Sequence, residues 1–400
     1  MKSMVQTKRL LTVLVAASVL SLTACGGGGG GSGAAATTSS TGGDGTPVAP
    51  AAVVAVQGQK LAAGVGYSLG VTSAGKVQPW GSGMHGALST TSTVAAVGTA
   101  SWGTNLNASW AVTSSGDLLY WGDDAAGKLT ANAVVLSGLG HVAAARACGA
   151  GNGAMLYVLK TDGSVWGVPA RDLTDSTKGF AVTGVGQAKA LGDGADATCS
   201  SMLAIDKDGG VWQLQARNPA DVAGGVAGVP TQAQGLAKSG LSKVAQASCA
   251  ASSCLAVDST GQVWAWGKND LGQLGDGTRV DAPTPFVIDV FGAKISNVLM
   301  TQDGTAYALA ASGTLYGWSL QDGPAKVNSF RDAGITPRSV IPKEAMVQSL
   351  AASPVVNGHA LILLGSNDVQ GWGQNGSAEV VDKSPSPPLL VQKDTGINLQ

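Results

Sequence analysis

Charge is scarce in this chain, with Asp, Glu, Lys and Arg making up only 12% of its 400 residues. There is no basic surplus either: 24 Lys and Arg stand against 25 Asp and Glu, and Lys2, Lys8 and Arg9 fall within the first 24 positions. Without those 24 residues the net charge is about −4, so nucleic acid is not expected as a partner, because a phosphate backbone is bound by a positive surface. Histidine is limited to His85, His141 and His359, too far apart to offer paired zinc ligands. Beyond the N-terminus no apolar run is long enough to cross a bilayer. What the chain has in quantity is glycine, 59 residues, the profile of a turn-rich β protein.

The N-terminus reads as an export signal over residues 1–24. Lys2, Lys8 and Arg9 form a positive region, and residues 10–20 form an apolar stretch too short to remain as a membrane anchor. Leu22-Thr23-Ala24-Cys25 follows and resembles the lipobox of bacterial lipoproteins, which implies lipid attachment at Cys25 and a membrane association through that lipid. Residues 25–47 begin with Cys25, continue with an unbroken glycine run at 26–31 and hold one acid, Asp44, so they are expected to form a flexible tether rather than a folded element. Gly26 is not the Asp that tends to retain such lipoproteins in the inner membrane, so the resemblance favours the outer membrane.

Self-similarity organises the remainder. In Tyr67 to Trp80, Trp110 to Trp121 and Cys254 to Trp266, an alternating apolar strand reaches a glycine turn and a second strand ends in Trp. Further copies end at Trp166, Trp212, Trp318 and Trp372, giving spacings of 41, 45, 46, 54, 52 and 54 residues. A four-stranded propeller blade needs about 40 to 50 residues, so the expected fold is an all-β, seven-bladed β-propeller over 48–392, with a tail at 393–400. Each hairpin is too small to bury its own apolar face, and the seven Trp residues are expected to pack between blades as the repeat core. Residues 46–56 and 388–391 read as strands from opposite ends of the chain, so closure by pairing both termini in one blade is expected.

The fifth copy is specific. Trp266-Gly-Lys-Asn-Asp-Leu-Gly-Gln-Leu-Gly-Asp-Gly277-Thr, followed by Pro283-Thr-Pro285, resembles the repeat of the regulator of chromosome condensation family, whose members are seven-bladed propellers. Gly86-Ala-Leu88 and Gly127-Lys-Leu129 echo its Gly-Gln-Leu-Gly step, whereas the third and fourth copies lack it.

Candidate chemical motifs dissolve in this context. Gly66-Tyr-Ser68-Leu-Gly70 matches a nucleophile elbow, but Ser68 lies within a strand rather than at a strand-to-helix turn. Gly149 to Ala154 and Gly192 to Ala197 fit a loose dinucleotide fingerprint with no helix to follow, and read as inter-strand loops. Asp206-Lys-Asp208-Gly209 resembles the start of a calcium loop without its later ligands. Cys148, Cys199, Cys249 and Cys254 remain beside Cys25 and can pair in three ways, as bridges between adjacent blades or as a small loop closed by Cys249 and Cys254.

No catalytic, cofactor or metal constellation emerges, so the expected role is an envelope lipoprotein whose propeller binds or scaffolds a protein partner. The alternatives are a lyase- or hydrolase-type propeller enzyme, which clustering of His85, His359 and acids on one face would favour, and a binder similar to the secreted propellers of this repeat type that inhibit β-lactamases. The family's best-known activity, nucleotide exchange on a small nuclear GTPase, does not suit an exported protein.

Overall fold

The computed structural model describes residues 55, 59–195, 199, 202–217, 232–238, 240–250, 252–319, 334–341, 343–355, 358–378, 380 and 389–400. The expected signal, Cys25, the tether and the expected strand at 46–56 lie outside the described residues, apart from the single position 55.

Seven blades follow one another along the chain in six sheets, because parallel pairing of the outer strands merges the third and fourth blades into one eight-stranded sheet. The first blade holds β1 Leu61–Ala63, β2 Tyr67–Val71 and β3 Val77–Gly81, and the second β4 Val94–Ser101, β5 Asn107–Thr113, β6 Leu118–Asp123 and β7 Leu129–Val135. The third holds β8 Val142–Cys148, β9 Met155–Lys160, β10 Val165–Pro169 and β11 Phe180–Thr183; the fourth β12 Ala188–Leu191, β14 Leu203–Asp206, β15 Val211–Arg217 and β16 Gln232–Lys238, with β13 Asp193–Ala195 between its first two strands. The fifth holds β17 Val244–Ala250, β18 Ser253–Asp258, β19 Val263–Gly267 and β20 Ala282–Ile288, and the sixth β21 Ile295–Met300, β22 Ala306–Ala310, β23 Leu315–Ser319 and β24 Gly334–Ile341. The seventh holds β25 Ser349–Ala352, β26 His359–Leu363, β27 Asp368–Gly373 and β28 Leu389–Asn398.

The first strands of all seven blades line one axial cavity. Their sequences explain why they can converge: Val142-Ala-Ala-Ala-Arg-Ala-Cys148 and Ser349-Leu-Ala-Ala352 carry mostly small side chains, which fit the narrow end of a wedge. In β4 the approach is closest at Gly98, where a Cβ would come within 2.2 Å of the Trp110 ring. Any larger residue there would have to displace that indole.

The seven closing Trp residues fall in two registers. Trp80, Trp121, Trp266, Trp318 and Trp372 stand three residues after the pair that opens each hairpin, such as Val71↔Val77 or Leu309↔Leu315. Trp166 and Trp212 stand one residue after their opening pairs, Leu159↔Val165 and Ile205↔Val211. The core position in those blades belongs to Val168 and Leu214, both fully buried, and the two Trp rings are half-buried. The short Asp-Gly turns fix the register, and a one-letter Trp match cannot see a shift of two.

The seam between the last and first blades is described for the strands at 61–81 and 349–398. All four strands of the seventh blade come from the C-terminal repeat, and β28 runs through most of the residues read as a tail. The ring closes side by side. Ser73 N donates to Leu399 O at 2.9 Å, Ser353 Oγ donates to Gly64 O at 3.0 Å, and Ser68 Oγ lies 2.7 Å from His359 Nε2. Leu61, Trp80, Leu361, Val369 and Ile397 pack along the same seam.

Candidate functional site

A propeller has two faces, and here they are built differently. On one, which we term the turn face, β-hairpins join the second and third strands. Asp206 Oδ1 accepts the amides of Asp208 and Gly210, at 3.0 and 2.7 Å, while its Oδ2 accepts Trp212 Nε1 at 2.9 Å. Asp258 does the same for Thr260, Gln262 and Trp264. The calcium-like Asp206 is therefore committed to holding a turn and anchoring the displaced Trp212.

The opposite, loop face carries the connections from first to second and from third to fourth strands. The described third-to-fourth connections at 170–179 in the third blade and 268–281 in the fifth are long, whereas the described hairpins of the turn face are short. Both disulfides belong to the loop face: Cys148–Cys199 ties the end of β8 to the segment before β14, and Cys249–Cys254 spans the β17–β18 hairpin. An adjacent-blade bridge and a small closed loop thus coexist.

The loop of the fifth blade is held by its own side chains. Asn269, fully buried, accepts Leu274 N on its Oδ1 at 2.9 Å and donates from Nδ2 to Asp276 Oδ1 and Thr278 O, both at 3.1 Å. Gln273 O then accepts Trp318 Nε1 from the sixth blade at 2.9 Å. The Gly-Gln-Leu-Gly step is therefore a blade-to-blade fastener. Asn375 repeats the device, its Oδ1 accepting Val380 N at 2.8 Å. The matching Trp-Gly-x-Asn, at Trp266 and again at Trp372, is the sequence signal for it. Replacing Asn269 by Ala leaves the buried Leu274 amide without its acceptor and is expected to cost about 1–3 kcal/mol of stability in urea titration.

The histidines do not converge. His85 Nδ1 contacts the buried Asp123 carboxylate, which also accepts Asn107 N at 3.0 Å. His141 is exposed, with Ser115 O 3.0 Å from its Nδ1, on the turn face. His359 is buried against Ser68, and burial depresses its pKa to about 3, leaving a neutral imidazole. Ser68 is fully buried in β2, away from any incoming acyl group. The two glycine motifs are likewise structural: residues 149–154 form a loop with a single 3-10 turn, and residues 193–195 form β13, which pairs in parallel with β17. Among the described residues no group of His, Cys, Asp and Glu could hold a metal ion.

Two cavities open along the axis. One, of 600 Å³, lies between the first strands, and Lys60, Arg146 and Asp193 are the charged residues among its described lining. Arg146 Nε donates to Asp193 Oδ1 at 2.5 Å and its Nη1 to Ala145 O at 2.9 Å. The second, of 560 Å³, is at the loop face, with Val65, Trp102, Cys148, Ala150 and Val355 in its wall and no charged residue among its lining. Thr99, Ala147 and Pro354 border both. The ion pair joins two repeats, 47 residues apart, and leaves no local sequence signal.

Comparison with known proteins places this architecture. Residues 260–302 match the family described as the regulator of chromosome condensation (RCC1) repeat. The ultraviolet-B receptor UVR8 of Arabidopsis thaliana is 42% identical over 77 residues, 19% of this chain and 17% of that protein. The E3 ubiquitin-protein ligase HERC2 of Homo sapiens is 28% identical over 152 residues, 35% of this chain and 3% of its own length. The chain thus spans a small part of these relatives. The crystal structure of Prp20p from Saccharomyces cerevisiae superimposes with a TM-score of 0.51 at 16% identity, covering 72% of this chain and 74% of that one.

Proposed function

Since this chain is a seven-bladed β-propeller of the regulator of chromosome condensation repeat family, we propose that it is a lipid-anchored envelope protein that binds a protein partner through its loop face. The contrast between the faces carries this reading. Short, internally satisfied turns occupy one face, while the other gathers the long described connections at 170–179 and 268–281, both disulfides and the mouth of the axial cavity. Binding residues concentrate on loops held by a rigid scaffold, and propeller blades are such a scaffold. Prp20p, which shares the fold, was solved together with its binding properties toward Gsp1p and histones, so proteins are a fitting class of partner. Disulfides belong to oxidising compartments, which supports export, and the lipobox-like Cys25 supplies the anchor, with the outer membrane favoured.

Crosslinking and affinity capture from the native envelope test this reading. The full chain is expected to capture a stoichiometric partner, and Cys25→Ser to release the protein from the membrane. Thr104→Arg with Ala150→Arg, both exposed on the loop face, is expected to weaken capture at least tenfold, whereas Ala311→Arg on the turn face leaves it intact. Equal loss from both faces, or no partner, removes the assignment.

A further inference from the structure

The axial cavity and the loop-face cavity have complementary chemistry. The outer one is walled by Val65, Ala150, Val355 and the edge of Trp102, with no charged residue among its lining, and suits an apolar group. The inner one carries two cationic side chains and one acid among its described lining, so its field is net positive. Arg146 is half-buried there. Its Nε and Nη1 are engaged by Asp193 and Ala145, while no described residue accepts from its Nη2. A guanidinium with one edge pinned and another open is a preorganised receptor for an oxyanion. Asp193 beside it repels a second negative charge, which favours a monoanionic carboxylate over a phosphate.

We infer that the two cavities form one funnel-shaped site for a carboxylate carried on an apolar group, entered from the loop face. The apolar part lies against Val65, Ala150 and Val355, and the carboxylate accepts from Arg146 Nη2. Thr99, Ala147 and Pro354, which border both cavities, form the waist between the two halves. Their combined volume, in cavities of 600 and 560 Å³, is ample for a group the size of an amino-acid residue or a short acyl chain. The same chemistry arises from the C-terminal residue of a polypeptide or from a free apolar carboxylic acid. The site goes beyond the face-binding assignment, and isolated small probes test it without any protein partner.

The experiment is calorimetric titration of the full chain carrying Cys25→Ser with three probes: acetyl-Ala-Ala-Leu with a free carboxylate, the same peptide as its amide, and octanoate. Trp102 and Trp110 border the site and give a parallel fluorescence readout. The acid peptide, octanoate or both are expected to bind saturably, with the acid peptide at least tenfold tighter than its amide if it is the ligand. Binding by the peptide alone identifies a polypeptide terminus, and binding by octanoate alone identifies a free acid. Ala150→Trp fills the mouth from an exposed position with an extended backbone, φ −139°, and is expected to weaken binding tenfold without disturbing the fold. Arg146→Gln combined with Asp193→Asn keeps a neutral hydrogen-bonding pair and is expected to abolish the preference for acid over amide. No saturable binding at millimolar probe, equal binding of acid and amide, or full affinity in Ala150→Trp overturns the site.

Discussion

Acidification from pH 6.5 to pH 5 is expected to remove about 2 kcal/mol of folding stability through His359 alone. Its imidazole is buried at the seam between the last and first blades, with Nε2 2.7 Å from Ser68 Oγ, and burial holds its pKa at about 3. In the unfolded chain the same group titrates near 6.5. The folded value is the depressed one, so the unfolded state takes up a proton first as the pH falls. Stability from this group is complete above about pH 6.5 and declines down to about pH 3, by about 1.4 kcal/mol per pH unit once below the unfolded pKa. Carboxylates titrate mostly below this range, and Asp162 and Asp258 are held lower still by the hydroxyl and amide donors of their turns. Urea midpoints measured between pH 7.5 and 4.5 should therefore slope for the wild type and flatten for His359→Gln, which keeps a polar partner for Ser68. Parallel slopes for the two proteins would show that the imidazole is solvated in the folded state. Because the Ser68–His359 contact joins first and last blades, hydrogen exchange in β2 and β26 should rise before that of the other blades.

This seam marks the boundary of what the sequence could reveal. Hairpin content, blade number and the order of strands follow from alternating apolar residues, Gly turns and recurring Trp, because each blade is a local unit whose signal lies within about 50 residues. Register is subtler. Trp166 and Trp212 look like the other closing Trp residues, yet the turn places them two positions early, where Trp212 bonds Asp206 and Trp166 lies 4.0 Å beneath Lys160 Nζ. Contacts between repeats were the least visible. Ser68 with His359, and Arg146 with Asp193, are each formed by residues in different blades, and neither partner carries a local pattern that points to the other. The candidate site inherits that limit, since a funnel made by seven first strands is a property of the ring and not of any one repeat.

The degenerate repeats show what replaces a lost motif, and lead to the second large effect. Between the fifth and sixth blades the Gly-Gln-Leu-Gly step fastens neighbours through Gln273 and Trp318. The third and fourth copies lack that step, and there the blades are laced differently: β11 pairs in parallel with β16, β13 with β17, and Cys148 bonds Cys199. The disulfide closes a segment with a sequence separation of 51, whereas Cys249–Cys254 closes one of 5. Loop-closure entropy then gives about 4 kcal/mol for the first and about 2 kcal/mol for the second. Cys148→Ala with Cys199→Ala is expected to lower the denaturant midpoint markedly and to expose the third and fourth blades to proteolysis before the rest. Cys249→Ala with Cys254→Ala should have about half that effect, because β17 and β18 already pair residue for residue around the bridge. If the two double variants lose equal stability, the covalent bond is redundant with the parallel lacing, and β11–β16 pairing would be the dominant fastener of the degenerate half of the ring.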